Sequence, residues 1–155
     1  MRKTGFLRLA LILVLFGGLY TGTAAAAELK VLCADALRPA VQELAPAFEK
    51  SSGHKLSIQY ETTENIEKKV AAEDQIDVAI LTKPQVDKLV RIAKLVGGST
   101  TTLASKGPDL VFVGAGSPYS EQATPAKAFL DFLAAPANKE VYKGKGFEPA
   151  ERTSS

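Results

Sequence analysis

The stretch Leu29-Lys30-Val31-Leu32-Cys33-Ala34-Asp35-Ala36-Leu37 is the most informative part of this 155-residue chain. Its first six residues form a short apolar run of the kind that is typical of a buried strand. Two further runs of this kind, rich in β-branched and aromatic residues, follow at 57–60 and 76–81. We therefore expect three strands in the first half of the chain.

The segments that follow these strands have helical patterns. After the first strand, apolar residues recur at helical spacing and so share one helical face. These residues are Leu37, Val41, Leu44 and Phe48. Gly53 is a suitable end for that helix. After the second strand, Thr62 or Thr63 is a candidate N-cap, and acids precede lysines in the order that the helix dipole favours. Pro84 suits the first turn of a third helix.

Three alternations of strand and helix predict the α/β class. Because the crossovers of such units are right-handed and join parallel strands, we expect a three-layer sandwich with a mostly parallel sheet of about four or five strands. The rest of the chain offers a Thr-rich segment at 99–103, an apolar run at 110–113 and a glycine-containing loop at 114–118. A helix opened by Pro125 and a last short helix follow.

Residues 1–27 are typical of a secretory signal peptide. An apolar run at 9–20 follows three cations, and small residues fill 21–27. The cations are Arg2, Lys3 and Arg8. We expect cleavage after Ala27, give or take two residues, which leaves 28–155 as a single domain in the periplasm or outside the cell. An uncleaved N-terminal anchor is the alternative.

The remaining composition limits the chemistry that the chain can perform. Removal of the leader, with its three cations, takes the net charge of the chain from +2 to −1. The remaining chain therefore lacks the basic surface of a nucleic-acid binder. Cys33 is the single cysteine and His54 the single histidine. We expect Cys33 to be a buried core residue and His54 to be a solvated loop residue. Asp77 is predicted to lie at the start of a strand. Together these residues form no recognisable catalytic set, so we expect no enzyme activity, no metal and no cofactor.

A ligand site is better supported than a catalytic one. Ligands of open parallel sheets bind outside the carboxyl ends of the strands, and here those ends lead into Asp35-Ala36 and Thr62-Thr63. Both segments open helices, whose unpaired N–H groups and dipole favour a small anion or a carboxylate. The alternative is that Asp35 and one of the threonines only cap their own helices.

Five motifs, taken in order, resemble one protein family. They are Leu-Lys-Val-Leu-Cys-Ala-Asp-Ala-Leu at 29–37, Glu-Thr-Thr-Glu-Asn-Ile at 61–66, Ile-Asp-Val-Ala-Ile-Leu-Thr-Lys at 76–83, Ala-Lys-Ala-Phe-Leu-Asp-Phe-Leu-Ala-Ala-Pro at 126–136 and Lys-Gly-Phe-Glu-Pro at 145–149. With the leader, they resemble the molybdate-binding-protein-like branch of the periplasmic substrate-binding proteins of ABC transporters. The resemblance covers nearly the whole chain after the leader.

The resemblance implies an extracytoplasmic solute-binding protein whose fold is one lobe of a type II periplasmic binding protein. Its partners would be a small anionic solute and a membrane permease. Family members clamp the ligand between two lobes, whereas here the second lobe is missing between 105 and 110, so weak binding is expected. The family serine is matched by Ala36, and Glu61 lies beside the threonine loop, which is unfavourable for an oxyanion. The alternative is a secreted interaction module derived from a binding-protein lobe that no longer binds a small ligand.

Overall fold

Six strands form one sheet within residues 25–72 and 75–151, which are the residues that the computed structural model describes. The strands are β1 (Glu28–Ala34), β2 (Lys55–Glu61), β3 (Val78–Thr82), β4 (Thr101–Lys106), β5 (Leu110–Gly116) and β6 (Glu148–Pro149). The helices are α1 (Arg38–Ser52), α2 (Thr63–Ala71), α3 (Lys83–Arg91), α4 (Ala123–Leu133) and α5 (Lys139–Gly144). Short 3₁₀ turns occupy Asp35–Leu37, Gly97–Ser99 and Pro136–Asn138.

The strand order is β2-β1-β3-β5-β4-β6. β1 pairs in parallel with β2 and β3, whereas β5 is antiparallel to both β3 and β4, and β6 is antiparallel to β4. The first four strands therefore point the same way and end at one edge of the sheet, which we call the carboxyl edge; the opposite edge is the amino edge. The α/β class is confirmed, with one more strand than the upper expectation.

Helices cover both faces of the sheet and give it two cores. On one face, Val31 of β1 joins the buried residues of α1, α4 and α5; on the other, Leu32 joins those of α2 and α3. This alternation follows from the two-residue period of a strand. The predicted apolar face of α1 is confirmed, because all of its members are buried. They are Leu37, Val41, Leu44 and Phe48.

The turn after α1 differs from expectation at one residue. Gly53 ends the helix with a left-handed φ of 75°, as its position predicts. His54, however, is half-buried rather than simply solvated. Its Nδ1 accepts a hydrogen bond from the Ala27 N–H at 3.0 Å, and its ring stacks on Phe48. His54 therefore links Ala27, which precedes β1, to the turn that precedes β2.

The antiparallel half of the sheet contains the elements that the sequence did not reveal. β4 occupies the Thr-rich segment, and the predicted loop at 114–118 starts inside β5. At Gly114, an added Cβ would lie 2.2 Å from Cδ2 of Leu130 on α4. The glycine therefore lets α4 pack closely on β5. A short hairpin at 107–109 joins these two strands at the carboxyl edge.

The predicted signal peptide lies almost entirely outside the described residues, which begin at Ala25. Ala27 already belongs to the fold, because it is buried and its carbonyl accepts the Lys55 N–H at 2.8 Å. Across 25–72 and 75–151, none of the helices combines the length and the apolar character needed to span a bilayer.

Candidate functional site

Two chain segments leave the sheet side by side at the carboxyl edge. Ala34 of β1 and Glu61 of β2 are register partners, so the residues that follow them begin at neighbouring points of the edge. Asp35 and Ala36 belong to the 3₁₀ turn that leads into α1, and Thr62 immediately precedes α2. The structure therefore brings the two predicted binding segments to one place.

Thr62 is the N-cap of α2, as one of the alternatives predicts. Its Oγ1 accepts a hydrogen bond from the Asn65 N–H at 3.3 Å, and its carbonyl accepts the Ile66 N–H at 3.1 Å. Capping uses an acceptor lone pair of the hydroxyl and leaves its proton free to be donated. The side chain is exposed, so Thr62 can cap the helix and still donate a hydrogen bond to an anion. Thr63, the first residue of α2, is half-buried beside it.

Asp35 does not cap a helix, so the capping alternative is wrong for this residue. The 3₁₀ turn has no side-chain cap, and the Asp35 carboxylate instead accepts hydrogen bonds from Nη2 and Nε of Arg38, at 2.5 and 2.8 Å. Both side chains are exposed, which limits the pair to about 0–1 kcal/mol of stability. The Arg38 guanidinium also lies over the Tyr60 ring, 4.8 Å from its centroid.

The second acid at this edge is also paired. Glu61 accepts a hydrogen bond from Nζ of Lys69 on α2. The two carboxylates that would repel an oxyanion are therefore each matched by a cation. Sequence reasoning missed both cations: the three-residue spacing of Asp35 and Arg38 could have revealed the first, but no local spacing signals that Lys69 reaches the edge from α2.

The groups beneath this edge are unreactive. Burial raises the pKa of the Cys33 thiol, and the nearby Asp35 carboxylate acts in the same direction. A thiol that stays protonated is a poor nucleophile. Burial raises the pKa of Tyr60 to about 12, with Cys33 adding to the shift and Arg38 opposing it. Main-chain donors, hydroxyls and paired charges can hold a solute here, and they offer no group activated for covalent chemistry.

The sequence that contains these segments matches a known family. Residues 29–118 match the family described as bacterial extracellular solute-binding protein. The chain belongs to this family. The matched region contains β1 to β5 and therefore both segments of the candidate site. The matching proteins are substrate-binding transport proteins rather than enzymes.

Solved structures of binding proteins share the fold. A substrate-binding domain from Clostridium difficile has a TM-score of 0.73 at 11% identity, with 81% of this chain and 100% of that chain covered. The periplasmic molybdate-binding protein of Azotobacter vinelandii has a TM-score of 0.72 at 12% identity, with 79% of this chain and 100% of that chain covered. The sulfate-binding protein SubI from Mycobacterium tuberculosis H37Rv has a TM-score of 0.67 at 10% identity, with 81% of this chain and 88% of that chain covered. At such identities the likeness establishes the fold. No curated protein sequence matches this chain.

Proposed function

We propose that this protein is the solute-binding component of an ABC-type transport system and that it binds a small oxyanion or carboxylate at the carboxyl edge. The main observation in support is that the Asp35–Leu37 turn and the start of α2 lie beside each other at this edge. The chain also belongs to a family of solute-binding proteins. Two proteins of the same fold are named for molybdate and sulfate, which supports an oxyanion.

The residues of the proposed ligand site are Asp35, Ala36, Thr62 and Thr63. Main-chain N–H groups at Ala36 and Thr63 lie in the first turns of their elements, where donors have no helical partner. The hydroxyls of the two threonines add donors of the kind that an oxyanion accepts. Asp35 acts by holding Arg38 at the edge, because its carboxylate binds that guanidinium.

A single lobe is expected to bind weakly. The hairpin at 107–109 connects β4 directly to β5, so the described residues supply one wall of a cleft. Loss of three or four hydrogen bonds from an absent second wall, at about 1 kcal/mol each, weakens affinity by roughly two to three powers of ten. A partner that covers the carboxyl edge, such as the transporter's permease, would supply the missing wall.

Calorimetric titration with molybdate, tungstate, sulfate and phosphate tests the ligand class and the location together. We expect a dissociation constant above the micromolar range for the wild type, and a further weakening of about thirtyfold in Thr62→Val/Thr63→Val, because two hydroxyl donors are lost at about 1 kcal/mol each. Thr101→Val/Thr102→Val is the matched control, since these neighbouring threonines begin β4 at the amino edge. A submicromolar constant that the first variant leaves unchanged would refute the weakness and the location.

Export of the chain belongs to the same proposal. Ala27 is buried and hydrogen-bonded at both its N–H and its carbonyl, which favours a cleavage point on its N-terminal side, within the expected two residues. Mass spectrometry of the exported protein should find Ala26 or Ala27 at the N-terminus. A mature chain that retains Met1 would contradict the signal peptide.

A further inference from the structure

We propose that the protein forms a two-fold symmetric dimer in which β2 pairs antiparallel with β2 of a second copy, with Ile58 on the axis. This inference concerns a surface apart from the proposed ligand contacts and does not depend on the proposed function. It rests on the position of β2, on the direction of its main-chain groups, and on a sequence that is self-complementary when read against itself in the opposite direction.

β2 is the outermost strand on its side of the sheet, because the strand order begins with it and it pairs with β1 alone. The Lys55 N–H points inward and bonds the Ala27 carbonyl at 2.8 Å. Main-chain direction alternates along a strand, so the N–H and carbonyl groups of Leu56, Ile58 and Tyr60 point outward. Such an edge is a template for pairing with another strand.

An antiparallel pairing centred on Ile58 makes the two strands complementary in charge. Lys55 then faces Glu61 of the second copy, and the same pair recurs at the other end of the ladder because the axis is two-fold. Ser57 faces Gln59, two polar side chains able to hydrogen-bond. The Lys55 side chain is exposed, and the Glu61 carboxylate, whose Oε1 already accepts Lys69 of its own chain, has a second oxygen that can accept Lys55 of the second copy.

The other face of β2 is apolar and incompletely covered. Leu56, Ile58 and Tyr60 are half-buried and pack at the margin of the core formed with α1. In the proposed register, Leu56 meets Tyr60 of the second copy and Ile58 meets its own equivalent, which continues the apolar row across the axis. Pairs of aromatic and aliphatic side chains stabilise antiparallel ladders.

Glu49 competes with the second copy for one main-chain donor of β2. Its Oε1 accepts the outward Leu56 N–H at 2.8 Å, so this donor is already used within the chain. The outward groups of Ile58 bond reciprocally across the axis, and the Tyr60 N–H bonds the Leu56 carbonyl of the second copy. Because the Tyr60 carbonyl of the second copy faces the same Leu56 N–H, pairing displaces the Glu49 carboxylate and replaces its hydrogen bond with one between the strands.

Sedimentation equilibrium of the full chain over a concentration series tests the dimer by charge exchange. We expect a monomer–dimer equilibrium for the wild type. Lys55→Glu should raise the dissociation constant about tenfold, because it places like charges opposite each other at both ends of the ladder. Lys55→Glu/Glu61→Lys should restore it to within roughly threefold, when both variants are made in a Lys69→Gln background so that the new lysine meets no cation of its own chain. Lys68→Glu is the matched control, since Lys68 is exposed on α2 and outside β2.

A second measurement covers the case in which a variant is poorly folded. Hydrogen exchange of the wild type should show the Ile58 and Tyr60 amides gaining protection as concentration rises, while the Ser57 amide, which points toward β1, does not change. A monomer at every concentration, a dimer in which the double exchange fails to restore affinity, or concentration-independent exchange at Ile58 would each overturn the proposal.

Discussion

Acidic side chains have different kinds of partner at the two edges of the sheet. At the amino edge, Asp77 is buried, and its carboxylate accepts the Lys30 N–H at 2.8 Å and the Ser120 hydroxyl at 2.5 Å. At the carboxyl edge, Asp35 and Glu61 bind cationic side chains at the surface. Polar groups at the amino edge are therefore engaged in holding strands together, whereas those at the carboxyl edge remain accessible to a solute.

Exposed apolar side chains are also distributed unequally between the amino edge and the carboxyl edge. Among the described residues, the large hydrophobic side chains with substantial exposure are Ile92, Val96 and Tyr119. They follow the ends of α3 and β5, and the Val96 N–H bonds the carbonyl of Gly116 at the amino edge. The interaction-module alternative would place an apolar patch on the carboxyl edge. The polar character of that edge favours solute binding instead.

The largest effect is expected from Asp77→Ala. The substitution leaves the Lys30 N–H and the Ser120 hydroxyl without their acceptor, and hydrogen bonds to a charged group are the costly ones to lose. We expect a loss of about 3 kcal/mol in the free energy of unfolding, measured by urea denaturation. Asp35→Ala, its counterpart at the carboxyl edge, should cost less than about 0.5 kcal/mol. Equal losses would remove the distinction between the edges.

An intermediate effect is expected at the cap of α2. Thr62→Ala removes the acceptor of the Asn65 N–H and should lower the free energy of unfolding by about 1 kcal/mol. Thr62→Ser retains both the cap and the donor proton and should keep stability and anion affinity near the wild-type values. If Thr62→Ser binds anions as poorly as Thr62→Val/Thr63→Val, the hydroxyl is not the contact that the proposed site requires.

The smallest effect is expected in alkaline solution. Burial raises the pKa of Tyr60 to about 12, above the ordinary value near 10. A raised pKa means that the folded state favours the neutral phenol, so its stabilisation is complete below about pH 10 and is lost between about pH 10 and 12. Tyr60→Phe should make the unfolding free energy fall less steeply over that interval. A slope identical to the wild type would show that Tyr60 ionises equally in both states.

Burial also raises the pKa of Tyr142, so part of the alkaline loss should persist in Tyr60→Phe. Adding Tyr142→Phe should reduce the remaining slope, because the second buried phenol is then absent. The buried Cys33 thiol, whose pKa is also raised, contributes a further part of the alkaline loss that neither substitution removes. The comparison therefore isolates the shares of the two phenols, one below the carboxyl edge and one on α5.

The parallel half of the fold was predictable because its signals are local. The spacing from Leu37 to Phe48 is sufficient to define α1, and Gly53 marks its end. β4 was not predictable in this way, since only Leu103 and Ala104 of its residues are buried and polar residues surround them. Gly114 has the composition of a loop, and its place in β5 depends on Leu130, sixteen positions later.

The meeting of the two candidate segments was predictable, whereas the charges around them were not. Strand ends and a capping threonine are properties of the local sequence, and both segments met at the carboxyl edge. The charge balance was not predictable, because Lys69 reaches Glu61 from the last turn of α2. Two carboxylates that looked repulsive to an oxyanion in the sequence are therefore partnered in the fold.

The inner position of β1 has a consequence for how the chain matures. β1 is made first, yet its two neighbours, β2 and β3, come later in the sequence. A chain that emerges N-terminus first therefore carries an apolar strand that lacks one of its two partners until Thr82 has also emerged. Pairing that depends on distant residues is slow, and such a segment is prone to associate with other chains in the meantime. Delivery through a membrane pore would prolong that interval, so a holding chaperone on either side of the membrane should raise the yield of folded protein.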